Sequence, residues 1–323
     1  MLFIYTKINK KFEKKESFIS FSVLKGFPSE SRDQLSASQF INFMLTEKNL
    51  KLSTAESYLS SLSTIFKLKG ADCSCLHSYH SKILLKGGKI LSSLEGIPTP
   101  SRKVFSLDLL QLIGHEIANA DWPIDSKRVF WSACTTLFFG SLRVGEILSC
   151  SDSSFASSSC LLWKDVKFRG DSILVHIKLP KVKSKEGDFV DIFPFSISSC
   201  CPVRALSGLK ANSPHSSSPD LPVFTFASGR LLTPSNFNET LRLLLLPHLG
   251  LAASEYSSHS FRAAISSALA RFPDLAQDED IKLWGRWESS SFSRYTRLGL
   301  DKKRSLHAKI CSALLCRPAI SPQ

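Results

Sequence analysis

Two prolines in the segment GIPTPSRK, at 96–103, limit how this chain of 323 residues can fold. Proline lacks a backbone N–H and disfavours a helical conformation in the residue before it, so Pro98 and Pro100 should end any helix that reaches them. Helical patterns occur on both sides of this break, and the chain is longer than one typical domain of about 150 residues. The predicted divisions are a basic flexible arm (1–29), a helical domain (30–95), a linker (96–102), a larger domain (103–316) and a tail (317–323).

The helical domain is predicted from apolar spacing and from residues that often precede helices. Ser36 or Ser38 is expected to cap a helix that runs to Leu45. The stretch STAE at 53–56 is similar to a capping box, and apolar residues at helical spacing follow it from 58 to 66.

The larger domain is predicted to combine helices with one β-hairpin. Residues 172–179 alternate Ile173, Val175 and Ile177 with polar residues, and 189–195 are again typical of a strand, so the basic stretch KVKSKEGD should form the turn. Helices are predicted over 107–120, 126–139, 202–210, 234–246, 260–272, 278–284 and 300–315. The expected fold class is mainly α with a small β-sheet (α+β), and the absence of an internal repeat argues against a solenoid or propeller.

The charge of the chain indicates a polyanionic partner. There are 41 basic and 28 acidic residues, a formal net charge of +13. Such an excess favours nucleic acid, through counterion release, or an anionic membrane. No apolar run approaches the roughly 18 residues of a membrane span, and the opening MLFIYTKINKKFEKKE is too short and lysine-rich for a secretory signal. We expect a soluble intracellular protein with no membrane partner.

The nine cysteines do not predict a disulfide framework, because their number is odd and they form no repeated CxxC pairs. Cys73, Cys75, His77 and His80 carry metal-capable groups, but their spacing matches no usual zinc site. We expect reduced thiols and no bound metal.

A few charged and aromatic residues could be reagents rather than surface groups. Arg143 lies where a helix meets the core, and His259 and Arg262 share one helix face near an N-terminus, which favours a phosphate. Tyr295 lies between two arginines in GRWESSSFSRYTR. Each also has a structural interpretation: an ion pair of Arg143 with Glu146, a capping or core histidine, or packing of the tyrosine.

The order of these residues resembles the catalytic domain of tyrosine recombinases, the phage integrase family, over about 100–310. The helical segment before it resembles that family's core-binding, SAM-like DNA-binding domain. The motifs that carry the resemblance are LRVGEI with Arg143, the basic hairpin, HSFRAA with His259 and Arg262, and GRWESSSFSRYTR with Tyr295. Together with CPVRAL, DLPVFTF and SGRLLTPSNF, they are most similar to recombinases of eukaryotic mobile elements, the Crypton and DIRS-like groups.

The resemblance implies site-specific DNA recombination or integration through a 3′-phosphotyrosine intermediate, with Tyr295 as nucleophile and no cofactor. Arg143 and Arg262 would bind the scissile phosphate, and His259 would handle the tyrosine proton or orient the phosphate. Lys183 on the hairpin would protonate the departing 5′-oxygen. The other residues expected to contact DNA are Lys178, Lys181, Lys185, Arg294 and Arg297, and any of these three lysines could replace Lys183 as the acid.

One position departs from the family's pattern, because Arg286 and Trp287 stand where many members have histidine after glycine. Trp287 is the expected substitute, and Arg286 is the alternative. Trp284 could simply be core. The family also implies double-stranded DNA as partner, a homotetramer on two duplexes and, in a eukaryote, a nuclear location; otherwise the location is the cytoplasm or nucleoid. The alternatives are an inactive, domesticated DNA-binding protein and a type IB topoisomerase relative.

Overall fold

The N-terminal part of the chain forms a small helical unit with its own core. The computed structural model describes residues 34–70, 72–94, 103–178, 187–272, 274–286 and 300–316, and the chain divides into two units, Met1–Thr99 and Pro100–Gln323. The predicted arm, linker and tail lie outside the described residues. The helices of the first unit are α1 (Gln34–Thr46), α2 (Leu52–Leu68) and α3 (Tyr79–Leu94). Its core is built from apolar side chains at helical spacing, including Phe40, Ile41, Leu59 and Leu62.

Both predicted N-caps in this unit are wrong. Helix α1 has already begun at Ser36, and α2 begins at Leu52 after Lys51, whose side chain makes no capping hydrogen bond. Ser53 therefore lies within the first turn of α2. The apolar spacing identified the helices correctly, but the serines did not mark where they begin.

The second unit is also mainly helical, and several of its helices begin where the sequence offers a cap or a proline. Ser106 accepts a hydrogen bond from the Leu109 backbone N–H (3.1 Å), and Pro202 and Pro234 each occupy a first-turn position, where the fixed proline φ suits a helix. The helices are α4 (Leu107–Asn119), α5 (Ile124–Phe139), α6 (Val144–Ile147), α7 (Pro202–Asn212), α8 (Pro234–His248), α9 (Ser258–Ala270), α10 (Asp278–Gly285) and α11 (Leu300–Leu315).

A three-stranded antiparallel sheet completes this unit. Its strands are β1 (Val166–Phe168), β2 (Ile173–Ile177) and β3 (Asp188–Ile192), in that order. The side chains of Ile173, Val175 and Ile177 are each at most 1% exposed. Their burial on one face of the sheet explains why apolar and polar residues alternate in this part of the sequence. The hairpin of β2 and β3 is thus as predicted, whereas β1 was not predicted because three residues are too few to show a period.

The last pair of the hairpin needs a glycine beside it. Ile177 pairs with Asp188, and Gly187 just before has a φ of +79°. A Cβ at Gly187 would lie 2.6 Å from both His176 Nε2 and the Ile177 carbonyl oxygen, closer than any side chain can come. Gly187 therefore fixes the backbone conformation at the start of β3, where Asp188 is the first residue.

Helix α9 lies at the centre of the second unit, since it packs against α5, α10 and α11. Helix α11 buries Leu306, Ile310 and Ala313 in the same core. Ion pairs of Lys303 with Asp191 and Arg304 with Asp171 also fasten α11 to the sheet region. The fold class is the one predicted from the sequence, mainly α with a small β-sheet. Within the described residues, no helix combines the length and apolar character needed to span a membrane.

Candidate active site

Glu146 anchors the first part of the site. It lies in the short helix α6, and its side chain is only 4% exposed. The backbone N–H of Arg143, just before α6, donates to Glu146 Oε2 at 2.8 Å, and Arg143 Nη1 donates to Oε1 at 2.8 Å. The ion pair considered as the structural explanation for Arg143 is therefore present. The ion pair leaves other N–H groups of the guanidinium available to a ligand, because the group has five donors and the Arg143 side chain remains 28% exposed.

Arg262 is buried beside this pair. It belongs to α9 and is 2% exposed. Its Nη1 donates to the Ser141 carbonyl (2.7 Å) and its Nη2 to the Gly285 carbonyl (2.6 Å). The first carbonyl precedes Arg143 in the chain and the second immediately precedes Arg286. The planar fork of Arg262 thus fixes both segments to α9, and its Nη1 lies 3.8 Å from Glu146 Oε2.

Arg286 supplies a third guanidinium. Its Nη2 donates to Glu146 Oε2 (2.7 Å) and its Nη1 to Asp188 Oδ2 (3.2 Å), and the side chain is 14% exposed. Its backbone ends α10 in the left-handed conformation, with φ 51° and ψ 46°. A residue other than glycine is uncommon there, and such backbone conformations concentrate at functional sites. We call Arg143, Arg262, Arg286, Glu146 and Asp188 the arginine cluster.

The electrostatics of the arginine cluster favour an anion. Burial by itself raises the pKa of Glu146, but Arg286 and hydrogen bonds from Arg143 outweigh it and hold that pKa below its usual value. Burial, together with the charges of Arg143 and Arg286, lowers the pKa of Arg262 to about 10. Arg262 therefore stays charged at neutral pH. Three guanidinium groups face two carboxylates, and this excess of positive charge suits a phosphate.

Several buried polar atoms near the cluster have no hydrogen-bond partner within the described parts of the chain. They include Ser141 Oγ, Trp284 Nε1 and Arg286 Nε. Trp284 packs against the hydrophobic core, as its structural interpretation proposed. Unsatisfied buried polar atoms are costly, and one of these three belongs to Arg286, which contacts Glu146 directly.

His259 lies at the solvent-facing start of α9. It is the second residue of that helix and is exposed, and its backbone N–H donates to Ser257 Oγ at 3.3 Å. It precedes Arg262 by three residues, so both project from the same side of the helix. His259 is therefore not a core histidine, and it lies at a helix N-terminus, where backbone N–H groups favour an anion.

Lys178 is the one hairpin lysine among the candidates that the described residues include. Its Nζ lies 2.5 Å from Asp165 Oδ2 and also donates to the Ser157 carbonyl, and its side chain is 20% exposed. Asp165 holds it at the end of β2. The remaining candidates lie outside the described residues; these are Lys181, Lys183, Lys185, Trp287, Arg294, Tyr295 and Arg297.

The structure thus brings Arg143, Arg262 and Arg286 together, and it adds two carboxylates. The sequence indicated Glu146 only as a partner of Arg143, and Asp188 only as the last residue of the stretch expected to form the turn, whereas it begins β3. A sign of Asp188 was present in the sequence, since an acidic residue follows Gly187 directly after a lysine-rich turn. Only the fold could show that this residue meets Arg286.

The cysteine and histidine patch in the first unit has an ordinary structural role. Cys73 and Cys75 are buried, and His77 Nε2 lies 2.9 Å from Ser63 Oγ. Across the described residues, no group of three or more His, Cys, Asp and Glu side chains is arranged to hold a metal ion.

Sequence comparisons find no relative: no family model matches the chain, and neither does any curated protein. Solved structures do match. The XerH site-specific recombinase bound to difH substrate, in a pre-cleavage complex, matches with a TM-score of 0.54 at 14% identity, over 92% of this chain and 74% of that one. The Tn1549 transposon integrase in complex with a circular intermediate DNA matches with a TM-score of 0.52 at 14% identity, over 88% of this chain and 87% of that one. A lambda integrase tetramer bound to a Holliday junction matches with a TM-score of 0.51 at 14% identity, over 89% of this chain and 74% of that one. The chain therefore has the tyrosine recombinase fold.

Proposed function

We propose that this protein is a site-specific DNA recombinase or integrase of the tyrosine type. The observation that carries the proposal is the convergence of Arg143, Arg262 and Arg286 on one buried carboxylate in a chain with this fold. Guanidinium groups hold their charge and match phosphate oxygens with paired donors. A site with three of them can stabilise the additional negative charge of a phosphoryl-transfer transition state.

In the proposed reaction, the Tyr295 oxygen attacks a DNA phosphodiester. The bond from phosphorus to Tyr295 forms as the bond to the 5′-oxygen breaks, giving a 3′-phosphotyrosine and a free 5′-hydroxyl. A second 5′-hydroxyl then attacks the phosphotyrosine and releases Tyr295. Covalent catalysis of this kind conserves the bond energy and divides one exchange into two easier steps, so no cofactor is required.

The other candidates take roles that this chemistry needs. Arg143 and Arg262 contact the non-bridging phosphate oxygens, and His259 at the start of α9 accepts the tyrosine proton or orients the phosphate. Lys183 protonates the 5′-oxygen as it leaves. Arg286 is the third donor to the phosphate, since it belongs to the arginine cluster, and Trp287 packs against the nucleophile. Lys178, Lys181, Lys185, Arg294 and Arg297 contact the DNA backbone.

The finer assignments rest on the sequence motifs. HSFRAA and GRWESSSFSRYTR are most similar to the Crypton and DIRS-like recombinases, which supports a role in mobile-element integration or excision. The net charge of +13 supports double-stranded DNA as partner. The assembly of lambda integrase as a tetramer on a Holliday junction supports a homotetramer on two duplexes here, and a eukaryotic host would imply the nucleus.

A suicide substrate tests the proposal. A duplex nicked near the scissile phosphate loses the short 5′-hydroxyl fragment after cleavage, so the reverse reaction stops and covalent protein accumulates. Wild type should give a protein–DNA band that survives denaturing electrophoresis, and Tyr295→Phe, which lacks only the hydroxyl, should give none. DNA binding by both without any covalent band would favour the inactive DNA-binding protein. A covalent band with relaxation of supercoiled DNA but no strand exchange would favour the topoisomerase.

The identity of the general acid can be tested separately. Lys183→Ala should slow covalent-complex formation on ordinary DNA by about 10²- to 10⁴-fold, the usual contribution of a positioned acid. A substrate with sulfur in place of the 5′-bridging oxygen needs no proton to leave, so it should restore the rate. Lys181→Ala and Lys185→Ala are the matched controls. Rescue of one of these two, without rescue of Lys183→Ala, would reassign the acid.

A further inference from the structure

Arg286 is held from two sides by carboxylates that come from distant parts of the chain. Glu146 Oε2 accepts from its Nη2 at 2.7 Å, and Asp188 Oδ2 accepts from its Nη1 at 3.2 Å. The two contacts use both ends of the guanidinium fork, so they fix the plane of the group as well as its position. With only one of these carboxylates, the guanidinium could rotate about that single contact.

Asp188 is itself firmly placed. It is the first residue of β3, pairs with Ile177 across the sheet and follows Gly187, whose positive φ fixes the turn into the strand. Its Oδ1 accepts from the Phe189 backbone N–H at 3.0 Å, which leaves Oδ2 for Arg286. Contacts that do not involve Arg286 therefore already orient the Asp188 carboxylate.

The backbone of Arg286 adds a second sign of a constructed arrangement. This residue adopts the left-handed conformation, and its side chain contacts two carboxylates and is 14% exposed. The conformation is uncommon for arginine and here closes α10, where the Arg286 backbone N–H donates to the Lys282 and Leu283 carbonyls. The contacts with Glu146 and Asp188 then hold the side chain.

We propose that Asp188 is a positioning residue for the strand-transfer reaction: it holds the Arg286 guanidinium beside Glu146 in the orientation that donates to the scissile phosphate. This inference rests on the proposed function. Asp188 does not itself touch the phosphate, because like charges repel. Asp188 opens β3 five residues after Lys183 in the sequence.

An ion pair that only stabilised the fold would behave differently from a positioning pair. The Asp188 side chain is 38% exposed, and pairs with one such partner contribute little to stability. Removing its negative charge should leave DNA binding unchanged or tighter, because the net positive charge near the phosphate rises. Slower cleavage combined with undiminished binding is thus the signature of lost orientation.

Single-turnover cleavage of the nicked suicide duplex provides the test. Asp188→Asn should lower the rate of covalent-complex formation about tenfold while the Kd for the same duplex does not rise, and Asp188→Glu should recover part of the rate. Asp171→Asn is the matched control, because Asp171 makes an exposed ion pair with Arg304 outside the arginine cluster. It should leave the rate unchanged. Unchanged or faster cleavage by Asp188→Asn would overturn the positioning role.

A double-mutant cycle shows whether the effect passes through Arg286. In an Arg286→Ala background, Asp188→Asn should slow cleavage less than twofold further, since the group to be positioned is gone. A full tenfold loss in that background would sink the inference. Failure of the proposed function is distinguishable, because wild-type protein would then form no covalent complex at all.

A spectroscopic readout does not depend on cleavage. The Arg286 Nε–Hε resonance, assigned by its disappearance in Arg286→Lys, should shift or broaden in Asp188→Asn and not in Asp171→Asn. An unchanged resonance in Asp188→Asn would show that Arg286 keeps its place without the carboxylate and would refute the inference even in an active enzyme.

Discussion

Arg262→Ala should destabilise the second unit and eliminate measurable covalent-complex formation. The Arg262 side chain is 2% exposed and donates to the Ser141 and Gly285 carbonyls, which would be left without these donors. Unsatisfied buried acceptors of this kind should cost about 2–4 kcal/mol of unfolding free energy. Loss of a charged donor to the phosphate should reduce the cleavage rate by at least about 10³-fold. Urea unfolding and suicide-substrate kinetics measure the two effects.

Two further variants separate folding from chemistry. Arg262→Lys keeps the positive charge but cannot reach both carbonyls with a planar fork, so it should fold better than Arg262→Ala and remain at least about 10²-fold slower than wild type. Arg271→Ala removes an exposed arginine just after α9 and should change stability by no more than about 0.5 kcal/mol. Wild-type cleavage by folded Arg262→Lys would exclude a catalytic role for the guanidinium fork.

Glu146→Gln should produce the second large effect, a loss of stability that depends on pH. The substitution keeps the shape of the side chain but removes the charge that faces Arg143, Arg262 and Arg286. Leaving these buried or half-buried cations uncompensated should cost about 3 kcal/mol at pH 7. The exposed Glu239→Gln, in α8, is the control and should lie within about 0.5 kcal/mol of wild type.

The pH dependence follows from the lowered pKa of Glu146. A carboxyl group whose pKa is lower in the folded state stabilises the fold fully above its unfolded value, about 4.3 for glutamate, and loses this contribution as the pH falls through the folded value. The stability difference between wild type and Glu146→Gln should therefore be large at pH 7 and shrink at acid pH. Urea titrations at several pH values measure it, and a difference that is equal at pH 7 and pH 3 would contradict the assignment.

Added sulfate should restore part of the stability of Glu146→Gln at pH 7, because an anion bound beside the guanidinium groups offsets the positive charge that the glutamine no longer balances. Wild type should respond less, since Glu146 already offsets part of the charge of the guanidinium groups. The same anion would compete with DNA for the site.

The general architecture could be predicted from local sequence because helical and strand periods are local properties. The alternation of Ile173, Val175 and Ile177 identified β2, and the spacing of apolar residues identified the helices of both units. Helix starts were predicted less well, as Ser36 and Ser53 show, because a serine close to a helix caps it only when its backbone leaves the helical conformation. Strand β1 escaped notice because it has only three residues.

The candidate site could be predicted only where its residues carry motifs. Arg143 and Arg262 stood in recognisable contexts, and the structure places both beside Glu146. The contact of Arg286 with Asp188 joins residues 98 positions apart, so no local pattern could reveal it. From the sequence, Arg286 was predicted only as the alternative to Trp287 in place of a histidine. Its contacts with Glu146 and Asp188 now give it a defined place, whereas Trp287 lies outside the described residues.

The left-handed backbone at Arg286 restricts which amino acids evolution can exchange there. Glycine accepts this conformation freely, and asparagine, aspartate and histidine accept it more readily than other residues do, whereas β-branched residues are strongly disfavoured. Arginine is outside this tolerant group, so its presence at the end of α10 depends on the contacts that its backbone and side chain make there. Asp188 adds a further condition, because its carboxylate pairs with a permanent cation more effectively than with a histidine that is mostly neutral at pH 7.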